Sequence, residues 1–299
     1  MNMNLSALWL DDKRGYLADW VTQKWVRLSG RIVNLKSELW LQGQIGETRQ
    51  IGESYFERLS QSSHFKLSVN PIGAGLVQDF SVLRSDTFSP ENIHPKIIDF
   101  YEHTTKYNLD VWSQWCGAFK PFGWIIAILF SRRLQQLNMP ISPLETSRGI
   151  TSDIIQLADE SGVIVGTGWL RKLIATSSVI YAGIYSTCKP PKFPGRCMKV
   201  VFPLPNGNAT VIMKPQLHPD GSLTLLSSGN GFGEPGFYFI VQKNGDEAWV
   251  KYLHAMKENI HVYVDDANEV RANHILKLWG ATFLKLHYRM RLVSSKQEI

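Results

Sequence analysis

The chain has 299 residues, 44% hydrophobic and 19% charged, and a formal net charge of +6. This balance excludes a disordered or collagen-like chain and is long enough to bury a sizeable core, as one large domain or two ordinary ones. The excess charge lies in residues 161–299, with 16 Lys+Arg against 9 Asp+Glu, but these cations are scattered and no docking motif accompanies them, which argues against nucleic acid as a partner.

Cys116, Cys188 and Cys197 make an odd count with no CxxC pair, so neither a disulfide framework nor a zinc knuckle is expected. The opening stretch lacks the basic and apolar regions of a signal peptide. The longest apolar run, residues 124–130, falls far short of the ~20 residues of a membrane-spanning helix. On these grounds the sequence predicts a cytoplasmic protein.

In chain order, residues 16–28 predict a helix with Leu17, Trp20, Val21, Trp25 and Leu28 on one apolar stripe, stopped at Gly30. Residues 51–59 read as a helix with Tyr55, Phe56 and Leu59 inward. Pro71, Gly73 and Gly75 then mark a loop. Ser89-Pro90-Glu91 is a helix-start pattern, followed by helical spacing over 94–107 at Ile97, Ile98, Tyr101 and Thr105. Residues 122–137 predict a second helix of this region, apolar all round at first and then basic at Arg132-Arg133.

Beyond Gly149 the apolar period changes from 3.6 to 2, and ten short strands are predicted up to residue 279. Hairpin chemistry joins several of them, at Glu160-Ser161-Gly162, Asn206-Gly207, Asp220-Gly221 and Asn244-Gly245. The tail, residues 281–291, fits both periods. No long helix separates the strands, which excludes a parallel βαβ sheet. The expected fold is α+β: an N-terminal helical lobe (1–149) packed on a large antiparallel β-sheet (150–299) curled into a barrel or half-barrel, with one continuous domain as the alternative.

No cofactor is expected, because the Gly-rich stretch 229–236 lacks P-loop and GxGxxG spacing and no nucleophile elbow is present. His254 and His261 with Glu258 offer metal-ligand types, but at no metal-binding spacing, so no metal is expected. His94, Tyr101 and Asp110 are the candidate acid–base groups. Glu145 and Arg148 lie at the junction of helical and strand patterns, where an arginine fork suits a carboxylate or phosphate. Trp169, Tyr181, Tyr185 and Tyr238 recur along strands and would line a cavity if they share one face.

The main functional expectation is a cytoplasmic protein that encloses a hydrophobic or aromatic small molecule, as a binding protein or as a cofactor-free isomerase, cyclase or dehydratase. The alternative is a peripheral membrane or protein-interaction module that docks through residues 124–133, from Trp124 to Arg133.

Overall fold

The computed structural model describes residues 8–49, 51–63, 65–117, 149–174 and 179–293. The helix expected at 122–137, and with it Glu145 and Arg148, lies outside the described residues. A minor two-stranded sheet is made of β1 (Trp9–Asp11) and β2 (Gly15–Tyr16). All other strands join one sheet of 14 strands whose ladders are antiparallel.

Its long path runs β4 (Lys66–Val69), β6 (Ile150–Ala158), β7 (Ile164–Leu173), β8 (Val179–Cys188), β9 (Cys197–Leu204) and β10 (Gly207–Leu217). At β10 the sheet forks. The end of β10 pairs with β11 (Leu223–Ser227), then come β14 (Met256–Val264), β15 (Val270–Leu278), β16 (Ala281–Leu292) and β5 (Tyr107–Trp115). The start of β10 pairs instead with β12 (Gly236–Asn244), followed by β13 (Glu247–Tyr252) and β3 (Arg31–Asn34). Gly207 makes this crowded start possible: a Cβ there would lie 1.9 Å from the Ile240 carbonyl oxygen on β12.

The hairpin signals sit where the sequence places them. Asn206 (φ 57°), Gly221 (φ 80°), Gly245 (φ 52°) and Gly162 (φ 85°) all take the left-handed backbone of tight turns. The ambiguous tail is a strand, because β15 on one side and β5 on the other supply hydrogen bonds along its length. Cys188 and Cys197 face each other in the β8–β9 register as free thiols.

Two expectations change. The sheet is not closed into a barrel: β5 comes into contact with β6, but no ladder joins them. The boundary at 149 does not separate helices from strands either, since β3, β4 and β5 pair with strands of the second half. Period-2 burial over Tyr107–Trp115 makes this stretch a strand, and the free edge of β16 completes it.

Three α-helices are described, α1 (Leu17–Ser29), α2 (Tyr55–Ser63) and α3 (Pro95–Glu102). α2 buries Tyr55, Phe56 and Leu59 on one side of the sheet, against Ile155, Leu170 and Ile184. Gly168 lets Phe56 approach, because a Cβ there would lie 2.3 Å from the ring. The other, inner face of the long path packs into one cluster with a segment running from Ala74 to α3. That segment supplies Leu76, Phe80, Ile97 and Phe100.

α1 reverses the usual arrangement, in which an apolar stripe faces the core. It lies over β12 and β13 and buries Asp19, Gln23 and Val26. Gln23 donates from Nε2 to the Pro205 carbonyl (3.0 Å), which fixes the polar side inward. Val21, Trp25 and Leu28 are left 54%, 44% and 86% exposed.

Candidate functional site: an aromatic cavity with a buried arginine

On the inner face of the sheet, a cavity of about 910 Å³ extends from β7 and β8 to α1. Its size lies at the upper end of the ~300–1,000 Å³ range of small-molecule pockets. Strand alternation aims Trp169 and Arg171 of β7, Tyr181 and Tyr185 of β8 and Tyr288 of β16 into it, while Phe100 and Tyr101 of α3 close one side. Trp25, His254 and Trp279 are the exposed members of its lining, which puts the opening beside α1 and the β15–β16 turn.

Rings make up much of the deep wall. Trp169 meets Tyr181 and Tyr185 edge-on, with ring centres 6.2 and 5.6 Å away. The guanidinium of Arg171 lies 3.5 Å from the Trp169 ring centre, 4.6 Å from that of Tyr181 and 5.2 Å from that of Tyr288. Arg171 is only 5% exposed, its Nε has no hydrogen-bond partner, and no acid among the described residues forms an ion pair with it. A buried cation without a counter-charge is costly, and the ring faces offset part of that cost.

Burial pushes the phenols of Tyr101 and Tyr181 far up and that of Tyr185 up to about 12. It also raises the Tyr288 phenol, although the neighbouring Arg171 charge opposes the shift. These hydroxyls therefore keep their protons at neutral pH and act as hydrogen-bond groups. A second polar feature of the wall is the buried contact between Glu258 Oε1 of β14 and His274 Nε2 of β15, made without hydrogen-bond alignment. The His274 ring lies nearly parallel to that of Tyr288, centres 6.2 Å apart.

Of the residues singled out in the sequence, Tyr101, Trp169, Tyr181 and Tyr185 come together in this wall. Tyr238 does not. It is buried in a separate cluster with Trp40 and Tyr252, where its hydroxyl accepts from Gly233 N–H and donates to the Glu234 carbonyl. It thereby holds the Gly-rich loop in place. His94 caps α3, its Nδ1 accepting from Lys96 N–H (3.3 Å). Asp110 points to the outer face of β5 and pairs with Arg291 (2.9 Å). Neither group lines the cavity with Tyr101.

Strand parity also separates the residues with metal-ligand chemistry. Glu258 and His261 are three apart on β14 and so face opposite ways. No group of three or more potential ligands occurs among the described residues. His261 instead shares the Thr224 hydroxyl with His218, at 3.0 and 2.7 Å. Burial first, and the His218 charge second, hold the His261 pKa below its ordinary value. As pH falls below ~6.5, the unfolded chain takes up this proton before the folded one, so stability falls with pH. We expect the melting temperature to drop between pH 7 and pH 5 and the drop to be smaller in His261→Asn. Identical pH profiles for the two proteins would remove His261 as the cause.

Sequence reasoning missed Arg171. Its only signal is a lone arginine two residues from Trp169 in a strand that is otherwise mainly apolar.

No helix among the described residues is long and apolar enough to cross a membrane. No family model matches the chain, and no solved structure does. The chain is similar to the uncharacterized membrane protein YndJ of Bacillus subtilis (strain 168), with 27% identity over 256 residues. The match covers 84% of this chain and 43% of that protein, so the chain spans less than half the length of its relative. This similarity to a membrane protein corrects the expectation of a cytoplasmic binding protein or cofactor-free enzyme, which rested on the shortness of the apolar runs.

Proposed function

We propose that the chain is a peripheral membrane module, which lays α1 against an anionic lipid surface with the cavity opening beside it. The observation that carries this reading is the outward apolar stripe of Val21, Trp25 and Leu28, continued by the exposed Ile32 of β3. Apolar side chains flanked by cations are what an interfacial helix presents to a bilayer. Lys24 shares the stripe, and Lys251 Nζ lies 5.9 Å from the Trp25 ring centre. The one acid of α1, Asp19, is turned inward. Similarity to a membrane protein over most of the chain supports the same reading. The segment first expected to dock, residues 124–133, lies outside the described residues, and α1 takes over its role in this proposal. In this reading the curl of the sheet is a half-barrel whose open side faces the lipid.

Vesicle flotation tests it. The protein should rise with phosphatidylglycerol-containing vesicles and rise less with neutral phosphatidylcholine vesicles or in high salt. Lys24→Ala should weaken binding about fivefold, as expected for ~1 kcal/mol per basic residue near an anionic surface. Val21→Ser/Leu28→Ser should stay nearer the bottom of the gradient while melting like the parent, since both side chains are more than half exposed. A parent protein that fails to float, or a double variant that floats equally well, would defeat the proposal.

A further inference from the structure

We infer that the cavity takes a single-chain amphiphile whose anionic head, a carboxylate or a phosphate monoester, is gripped by Arg171. The assignment deepens the membrane reading by naming the class of molecule that the module would take up at a lipid surface.

Three observations combine. First, Arg171 lines the cavity, is buried, and has neither an ion-pair partner nor a partner for its Nε. A guanidinium that stays charged under burial calls for an anion, and its fork of N–H groups matches the paired oxygens of a carboxylate or phosphate. Second, the rest of the cavity suits a hydrocarbon tail: Val200, Val211, Met213 and Leu225 line it on the inner faces of β9, β10 and β11. Third, the cavity reaches from Arg171 to Trp25 and Trp279 at its exposed edge, so a ligand can lie with its head deep and its tail toward the opening.

The charges nearest Arg171 favour an anion. The lining carries two acids, Asp19 of α1 and Glu258, and two cations, Arg171 and Lys251; Glu258 is held against His274, whose ring lies beside Tyr288. Tyr288 stands between that pair and Arg171 and contributes a hydroxyl that keeps its proton. A cationic head at this end would meet the charge of Arg171. A neutral alcohol would leave the guanidinium without a counter-charge.

The test uses the whole chain in solution, with myristate, myristyl phosphate, myristyl alcohol and tetradecyltrimethylammonium as probes, each below its micelle concentration. Calorimetry gives the affinities. The parent protein should bind at least one of the two anions about tenfold or more tightly than the alcohol, as expected for charge-assisted hydrogen bonds, and the ammonium probe least. Preference for myristate points to a free acid, and preference for myristyl phosphate to a lipid phosphate. Arg171→Met should lose the preference for the anion and keep affinity for the alcohol, with vesicle flotation unchanged. Equal affinity for alcohol and anions in the parent, or no binding of any probe, would overturn the inference without use of a variant. So would a folded Arg171→Met protein that still prefers the anion. Should Arg171→Met not fold, Arg171→Lys keeps the charge and loses the fork, and unchanged anion affinity there would refute bidentate gripping. The flotation result for α1 variants does not depend on these measurements, so failure of the membrane reading and failure of the ligand assignment are told apart.

Discussion

Glu258→Ala is expected to lower stability by about 3–5 kcal/mol, because it strips the buried His274 of the carboxylate it contacts and opens space in the wall. For a chain of this size the melting temperature should fall on the order of 5–15 °C. The backbone is otherwise held in place, since Glu258 N–H donates to Ser227 Oγ (2.9 Å) and β14 pairs on both sides. The cost therefore belongs to the side chain. Replacing both partners, in Glu258→Leu/His274→Leu, should recover most of the loss, because an apolar pair of similar volume avoids the burial of polar groups. Urea titration of the single and double variants measures the coupling. A single-variant cost below about 1 kcal/mol would show that the pair is solvated or relaxes freely, and that it does not define the wall.

Phe56→Ala should be similarly severe, at about 3–5 kcal/mol, because the ring is fully buried between α2 and the sheet. The sheet is shaped to receive it. Gly168 presents bare backbone under the ring, and a methyl group there would approach Phe56 Cε1 to 2.3 Å. Gly168→Ala should therefore destabilise by overpacking, by roughly 1–3 kcal/mol. The two changes should not add: in Phe56→Ala/Gly168→Ala the new methyl occupies part of the space left by the ring. Additive losses would mean that Gly168 is required for its backbone alone. These variants lie on the face of the sheet opposite the cavity, so binding of the anionic probes should survive in whatever fraction remains folded.

Local patterns alone carried the antiparallel sheet, its hairpins and the α2 core stripe. Each depends on residues a few positions apart: period-2 alternation, the left-handed backbone that Asn and Gly accept, and helical spacing of Tyr55, Phe56 and Leu59. Part of the cavity lining was legible for the same reason. Trp169, Tyr181 and Tyr185 stand on strands whose alternation puts them on one face, and Tyr101 follows the spacing of α3. Tyr238 failed by the same rule, because β12 turns it to the side of the sheet packed by Trp40.

Tertiary pairing decided the rest. Residues 107–115 carry a period-2 pattern of their own, but the edge that they complete belongs to β16, more than 160 residues later. The fork at β10 arises because its two halves find different partners, which no window of sequence contains. α1 packs through Asp19, Gln23 and Val26, with Gln23 reaching the Pro205 carbonyl across 182 residues, and so leaves outward an apolar stripe that its own periodicity would assign to a core. Arg171 was invisible for the converse reason: its type and spacing are those of an ordinary strand residue. Only the closing of Trp169, Tyr181 and Tyr288 around it makes it a buried charge. Periodicity determines which face a residue takes within its own element; what that face meets depends on contacts between distant parts of the chain.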